Sequence, residues 1–316
     1  MNLKVFDSDA VLGALDNPSL IDALDRTFRA GSTTPPRSHF DTGKGAFLVM
    51  PAWEAGAFTG AKLVTIHREN HKLGLATIHG LYVLFDGVNG VPLAVMDGRM
   101  LTLLRTAAAS ALAARYLARA AARNHLVIGA GALAPFLVRS MRCVRPIESV
   151  RVWNRTKSKA TTMASELTAA GIPACSTDNL SEAVAWADII STATQSTTPL
   201  IHADDLRPGT HLDLVGAYTP EMAEASPEVL KSATVVVDTW EGARAEGGDL
   251  IRAVAEGAIT WEDVAGDLTA LTSGTIPGRS SDGQITAFKS VGASIEDLAA
   301  ARLAWERLSG EGTPGG

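Results

Sequence analysis

The chain has 316 residues, 46% of them hydrophobic and 20% charged, and a formal net charge of −6. That is enough apolar material for two domains, and a mildly acidic balance gives no electrostatic reason to bind nucleic acid or an anionic membrane. Two cysteines, Cys143 and Cys175, without a CxxC pair argue against a disulfide framework and a thiolate zinc site.

From the N-terminus, Met1 to Asp7 lacks the apolar stretch of a signal peptide, so a cytoplasmic location is expected. Ser8 to Ala30 carries Val11, Leu12, Leu15, Leu20, Leu24 and Phe28 at helical spacing, and Thr33-Thr34-Pro35-Pro36 breaks the chain. Ala46–Pro51, Gly60–His67 and Leu81–Phe85 read as strands. Asp86-Gly87-Val88-Asn89-Gly90 turns into a returning strand, Leu93–Asp97, which makes a hairpin. A long Ala-rich helix is expected from about Thr102 to Ala122; Arg115 and Arg119 mark it as a packed helix rather than a membrane span.

From Asn124 strand-like and helix-like runs alternate. Strands are expected at His125–Ile128, Ser149–Trp153, Asp188–Ala193, His211–Val215, Thr234–Asp238 and Ile285–Ser290. Helices are expected at Leu133–Cys143, Lys157–Ala170 and, near the end, Ile295–Leu308. This alternation predicts a parallel sheet with crossover helices. The tail Glu311 to Gly316 has a disordered composition.

The first turn of this half reads Gly129-Ala130-Gly131-Ala132-Leu133-Ala134, which is G-x-G-x-x-A. The first glycine permits a tight turn, the second lets the backbone approach a pyrophosphate, and the small third position lets helix and strand pack. At the end of the next strand, near the expected offset of about 20 residues, stand Asn154-Arg155-Thr156-Lys157, with Lys159 beyond. NAD enzymes place a carboxylate there; a guanidinium grips a phosphate through paired bonds. NADP(H) is therefore expected, with NAD(H) a weaker substitute. The alternative is that Arg155 and Lys157 are solvated charges on a first helical turn.

Outside that half, Arg105 lies in an apolar stretch, Lys62 lies inside a strand, and Arg37 follows the proline break. Three separated cations suit a small anionic substrate; structural salt bridges and snorkelling are the alternative. His67-Arg68-Glu69-Asn70-His71 is not HExxH, and no metal is expected. His79 precedes a strand and either faces the substrate or plays a structural part.

Together these segments resemble the ornithine cyclodeaminase/mu-crystallin family. The likeness rests on Leu104-Arg105-Thr106-Ala107-Ala108-Ala109-Ser110-Ala111-Leu112-Ala113, Val127-Ile128-Gly129-Ala130-Gly131, Val152-Trp153-Asn154-Arg155-Thr156, Ser191-Thr192-Ala193-Thr194 and Phe288-Lys289-Ser290-Val291-Gly292. It implies an α/β fold: a Rossmann NADP-binding domain over 122–295, and an α+β substrate-binding and dimerisation domain over 1–121 and 296–316, in a homodimer. By resemblance Arg37, Lys62 and Arg105 hold the substrate carboxylate. Lys62 and Arg105 are the candidate catalytic pair, and His79 and Tyr218 are further candidate substrate contacts. Thr106, Gly131, Ala132 and Leu133 match diphosphate contacts, and Asn154, Arg155 and Thr156 the adenosine end. Thr192, Ala193, Thr194, Val215, Gly216 and Ala217 match the nicotinamide ribose loops, and Lys289 and Val291 the far side of the nicotinamide.

One departure matters. Cyclodeaminases and related alanine dehydrogenases carry Asp in a Gly-x-Asp-x-Pro context, where this chain reads Gly216-Ala217-Tyr218-Thr219-Pro220. Oxidising an amine needs a base there, and a phenol is a poor base near neutral pH. The segment resembles the ketimine reductase branch, which reduces Δ1-pyrroline-2-carboxylate to L-proline and often Δ1-piperideine-2-carboxylate to L-pipecolate. The other readings are a cyclodeaminase or amino-acid dehydrogenase on the same scaffold, and a non-catalytic NADPH-dependent binding protein.

Overall fold

A computed structural model describes residues 3–31 and 34–310, apart from the His71 side chain. The expected tail from Glu311 to Gly316, Thr33 of the proline break and the second histidine of the His67–His71 segment therefore lie outside the described residues. In chain order the strands are β1 Lys4–Phe6, β2 Ser38–Asp41, β3 Ala46–Glu54, β4 Phe58–Ile66, β5 Ile78–Asp86, β6 Pro92–Asp97, β7 Asn124–Ile128, β8 Ser149–Trp153, β9 Ala174–Ser176, β10 Ile189–Thr192, β11 His211–Leu214, β12 Thr234–Val237, β13 Val264–Asp267 and β14 Thr286–Lys289. The helices are α1 Ser8–Ala14, α2 Asn17–Ala30, α3 Gly98–Leu117, α4 Ala134–Val144, α5 Lys157–Ala169, α6 Leu180–Trp186, α7 Pro227–Ser232, α8 Trp240–Glu246, α9 Gly248–Ala255, α10 Leu268–Thr272 and α11 Ser294–Ser309.

The chain divides into two compact units, one of residues 1–108 with 293–316 and one of residues 109–292. This division falls inside the continuous helix α3, whereas the sequence suggests a boundary at position 121. The helix also starts earlier than expected: the Asp97 carboxylate accepts from the Met100 N–H at 2.6 Å and caps it.

In the first unit the sheet runs β1-β6-β5-β4-β3-β2. The helical spacing from Ser8 to Ala30 is realised as two helices, α1 and α2. Asp7 and Asp16 cap α1 and α2, accepting from Ala10 and Ser19 N–H groups at 2.9 Å each. Leu20, Ile21, Leu24 and Phe28 of α2 are buried, and α2 packs on α11. α11 in turn lies on β3, β4 and β5. The inward sheet face presents Leu48, Met50, Phe58, Tyr82, Leu84 and Met96. Gly60 sits beneath the Tyr82 ring, where a Cβ would collide with the phenol.

In the second unit all strand pairs of the sheet β13-β12-β14-β11-β10-β7-β8-β9 are parallel. Leu126 and Ile128 enter one apolar core and Val127 the other, so β7 is buried on both faces. After β7 the chain builds β8 and β9 on one side, then returns to place β10 on the other side of β7. Between the carboxyl ends of β7 and β10 lies the switch point where such sheets bind ligands. No helix among the described residues is long and apolar enough to cross a membrane.

Candidate active site

The turn after β7 is shaped by Gly129. Its φ of +110° is strained for any side chain, and a Cβ there would approach the Ala193 carbonyl to 2.6 Å. Its N–H donates to the Trp153 carbonyl at 2.8 Å, which ties the turn to the end of β8. Gly131 and Ala132 are exposed, and α4 opens with no side-chain cap. The first N–H groups of an 11-residue helix thus point from a turn without bulky side chains, which fits a diphosphate. Half-buried Asn154 shapes the same turn. Its Oδ1 accepts from the Ala130 N–H at 3.2 Å and its Nδ2 donates to the Thr156 carbonyl at 3.0 Å, so its amide buckles the turn. Beyond it Arg155, Thr156 and Lys159 are exposed. Lys157 is spoken for by Asp178 at 2.8 Å, whereas Arg155 and Lys159 make no ion pair among the described residues.

The loops after β10 and β11 meet on one buried carboxylate. Glu224 Oε1 accepts from the Thr194 N–H and Thr194 hydroxyl, each at 2.7 Å. Glu224 Oε2 accepts from the Thr192 hydroxyl and Gly216 N–H at 2.7 Å and the Ala217 N–H at 3.2 Å. Gly216 has no room for a Cβ, which would strike Glu224 and the Thr194 backbone. Behind Glu224, Asp249 Oδ1 accepts from the Glu224 and Ala225 N–H groups at 2.6 and 3.0 Å, and Asp249 Oδ2 lies 3.0 Å from Lys289 Nζ.

Two expectations are corrected here. Lys289 is fully enclosed against Asp249, so its ammonium is an internal strut and presents no wall to a nicotinamide. The Thr192 side chain is also fully buried on Glu224, which leaves ligand contact to the exposed parts of its loop. Val215 and Ala217 are buried, and the Val291 N–H donates to Asp238 Oδ2 at 2.7 Å. Tyr218 is half-buried, and its phenol oxygen accepts from Gln195 Nε2 at 2.9 Å.

In the first unit Lys62 and Arg105 are gathered on α11. Lys62 Nζ lies 2.9 and 2.8 Å from the two Asp297 oxygens, Arg105 Nε donates to Asp297 Oδ1 at 2.9 Å, and Arg105 Nη1 to Glu296 Oε2 at 2.5 Å. The cations are 3% and 4% exposed and the acids 0%. Two cations face two carboxylates, so the cluster is balanced rather than purely cationic as the sequence suggested. Burial and then the Arg105 charge push the Lys62 ammonium down to about 8, against the pull of Asp297; Arg37 lies near enough to add to the lowering. Burial opposes charge on Arg105 as well, but Asp297 and Glu296 outweigh it and raise its pKa. Tyr82, paired across the sheet with Lys62, has its pKa raised by burial, then by Asp297 and Glu54; its hydroxyl has no hydrogen-bond partner among the described residues. Thr106 follows Arg105 and is buried.

His79 does not join this cluster. Lys62 pairs with Tyr82 and Thr65 with His79, so strand alternation puts His79 on the opposite, exposed face. The sequence reading missed Glu296, Asp297, Glu224 and Asp249. Glu296-Asp297 left a signal, since two adjacent acids interrupt an otherwise apolar helical face.

A family model described as "Ornithine cyclodeaminase/mu-crystallin family" matches residues 10–312. A Delta(1)-pyrroline-2-carboxylate reductase of Bacillus cereus is 38% identical over 263 residues, 82% of this chain and 81% of that one. A solved Thermococcus litoralis Delta(1)-pyrroline-2-carboxylate reductase, in complex with NADH and L-proline, superposes with a TM-score of 0.92 at 30% identity, covering 98% of both chains. An archaeal alanine dehydrogenase dimer with bound NAD has a TM-score of 0.92 at 33% identity, covering 98% of this chain and 97% of that one.

Proposed function

The chain belongs to the ornithine cyclodeaminase/mu-crystallin family, and from that premise we propose that it is an NADPH-dependent imine reductase. Its substrate is a cyclic ketimine carboxylate: Δ1-pyrroline-2-carboxylate, giving L-proline, and with the larger ring Δ1-piperideine-2-carboxylate, giving L-pipecolate. Lys62, Arg105 and Arg37 bind and orient the substrate carboxylate, which is where positioning lowers the barrier. The bound dinucleotide supplies a hydride to C2. The ring nitrogen arrives protonated, so this direction asks no protein group for a strong acid.

The observation that carries the reading is the segment after β11. By the family resemblance Tyr218 stands where the amine-oxidising branches carry Asp, and its oxygen already accepts a bond from Gln195. The neighbouring carboxylate, Glu224, is fully buried and accepts five hydrogen bonds, so it is no substitute base. Imine reduction needs none. Arg155 after β8 and Lys159 in the first turn of α5, both exposed and without ion pairs among the described residues, support NADPH over NADH.

The test is cofactor consumption, followed by absorbance, with each ketimine and each cofactor. Turnover of a ketimine with NADPH, slower with NADH, is the expected result. Arg155→Ala should weaken NADPH binding by about 10–100-fold, the worth of one charge-assisted contact, and leave NADH nearly unchanged. Ammonia release from ornithine, or alanine oxidation, without ketimine reduction would refute the assignment.

A further inference from the structure

We propose that Glu224 is the positioning residue of the nicotinamide end of the cofactor site, holding the loops after β10 and β11 in one fixed geometry. The inference rests on the reading of the second unit as the NADPH-binding unit, and concerns which residue sets the hydride-transfer geometry within it.

Glu224 lies late in the segment between β11 and α7, and from there it touches both the start of that segment and the loop after β10. Three of its five donors are backbone N–H groups, at Thr194, Gly216 and Ala217, which have no alternative role as acceptors. A carboxylate is the side chain that accepts from all of them at once. Burial and the nearby Asp249 push its pKa up, and Lys289, Thr192 and Thr194 oppose them. The donor set matches the anion, because a proton on either oxygen would face an N–H. Glu224 is itself clamped. Its N–H donates to Asp249, its carbonyl accepts from the Leu200 and Ile201 N–H groups at 2.8 and 3.0 Å, and Asp249 is paired with Lys289 on β14. A rigid buried chain therefore runs from Lys289 through Asp249 to Glu224 and ends at the backbone of both loops. The loops in turn reach the phosphate turn and Tyr218: Ala193 packs against Gly129, and Gln195 holds the Tyr218 oxygen.

The adenosine and diphosphate end of the site is built from the turn after β7 and the end of β8, which Glu224 does not touch. Loss of its charge should therefore divide the cofactor in two. Glu224→Gln keeps the shape, but its amide points donors at donors. Binding is measured by fluorescence titration with NADPH and with 2′-phospho-ADP-ribose, which lacks the nicotinamide. The expected result is 2′-phospho-ADP-ribose affinity within about twofold of the parent, NADPH affinity about tenfold weaker and kcat lower by about 100-fold, as for loss of charge-assisted bonds. The emission of bound NADPH should move towards that of the free cofactor. Glu224→Asp, which keeps the charge, should recover part of the loss.

Should Glu224→Gln fail to fold, Thr192→Val takes its place. It removes one hydroxyl donor at a fully buried position, so it acts only through Glu224, and the same division is expected at about threefold to tenfold. Equal weakening of both ligands would make Glu224 merely structural and overturn the proposal, as would unchanged NADPH binding and turnover. Failure of the parent protein to bind either ligand would instead overturn the cofactor reading beneath it.

Discussion

Lys62 binds its proton less tightly than an ordinary lysine. Burial and Arg105 lower its pKa to about 8, so the cation is complete below that pH and lost as pH rises through it. If the ammonium attracts the substrate carboxylate, affinity for a carboxylate ligand must fall in the same window. Pyrrole-2-carboxylate is the suitable probe, because its ring nitrogen does not titrate there. Its Kd is expected to be flat from pH 6 to about 7 and to rise up to about tenfold per unit above 8, with the break absent in Lys62→Met. A Kd independent of pH from 7 to 9.5 in the parent protein would remove Lys62 from substrate binding. At this scale the sequence was informative where the residue type alone fixes the role. Gly129 was legible because its backbone conformation admits little else. Asp297 was not, because it becomes the partner of Lys62 only through folding, 235 residues away in the chain. Glu224 and Asp249 were hidden for the same reason: nothing local distinguishes a buried hub from a surface acid.

Among the elements, β7 and β11 carry a built-in acid sensitivity. His125 and His211 are fully buried, and burial lowers both to about 3 from the ordinary 6.5. Folded, they stay neutral; unfolded, they take up protons below pH 6.5. Their contribution to stability is therefore complete above 6.5 and lost as pH falls towards 3. Asp213 on β11 works in the opposite sense. Burial raises it to about 6, so between about 6 and 3.8 the folded state holds a proton that the unfolded state releases. His211→Gln should flatten the pH dependence of unfolding free energy between pH 6 and 4.5 by nearly one proton, about 1.4 kcal/mol per pH unit. Denaturant melts at several pH values measure this, and parallel curves for the two proteins would show that His211 is charged in the fold. The same strands explain which elements could be read from sequence. β7 and β12 carry the apolar runs Leu126–Ile128 and Val235–Val237 because both sheet faces are covered, and β7, β8, β11 and β12 all fell within a residue of expectation. The helices α6 to α10 span eight residues or fewer, too few for a helical period, and β1, β9 and β13 are too short to alternate visibly.

For the whole molecule, the open question is what covers the first unit's sheet. α11 lies on one face; the register lines the other with Val5, Val95, Val83, Ala61 and Pro51 in one row, and Leu81, Leu63 and Val49 in the next. Val5 is 74% exposed and Leu81 51%, and Phe40, packed on Phe47 with ring centroids 6.4 Å apart, is 52% exposed. A contiguous apolar face of this kind marks an interaction surface. A second copy of the chain is the proposed occupant, since a sheet face meeting its own image is a closed arrangement that leaves no further face to propagate. Leu81→Glu puts a charge in the middle of that face while leaving the inward core untouched. The parent protein is expected to sediment at twice the chain mass and the variant at the chain mass, with the variant's secondary structure retained, because burying an unpaired carboxylate outweighs the apolar gain around it. If the parent sediments as a single chain, or the variant stays paired, the face is not the dimer contact. A folded Leu81→Glu monomer that still binds NADPH would further mean that the cofactor site is complete within one chain.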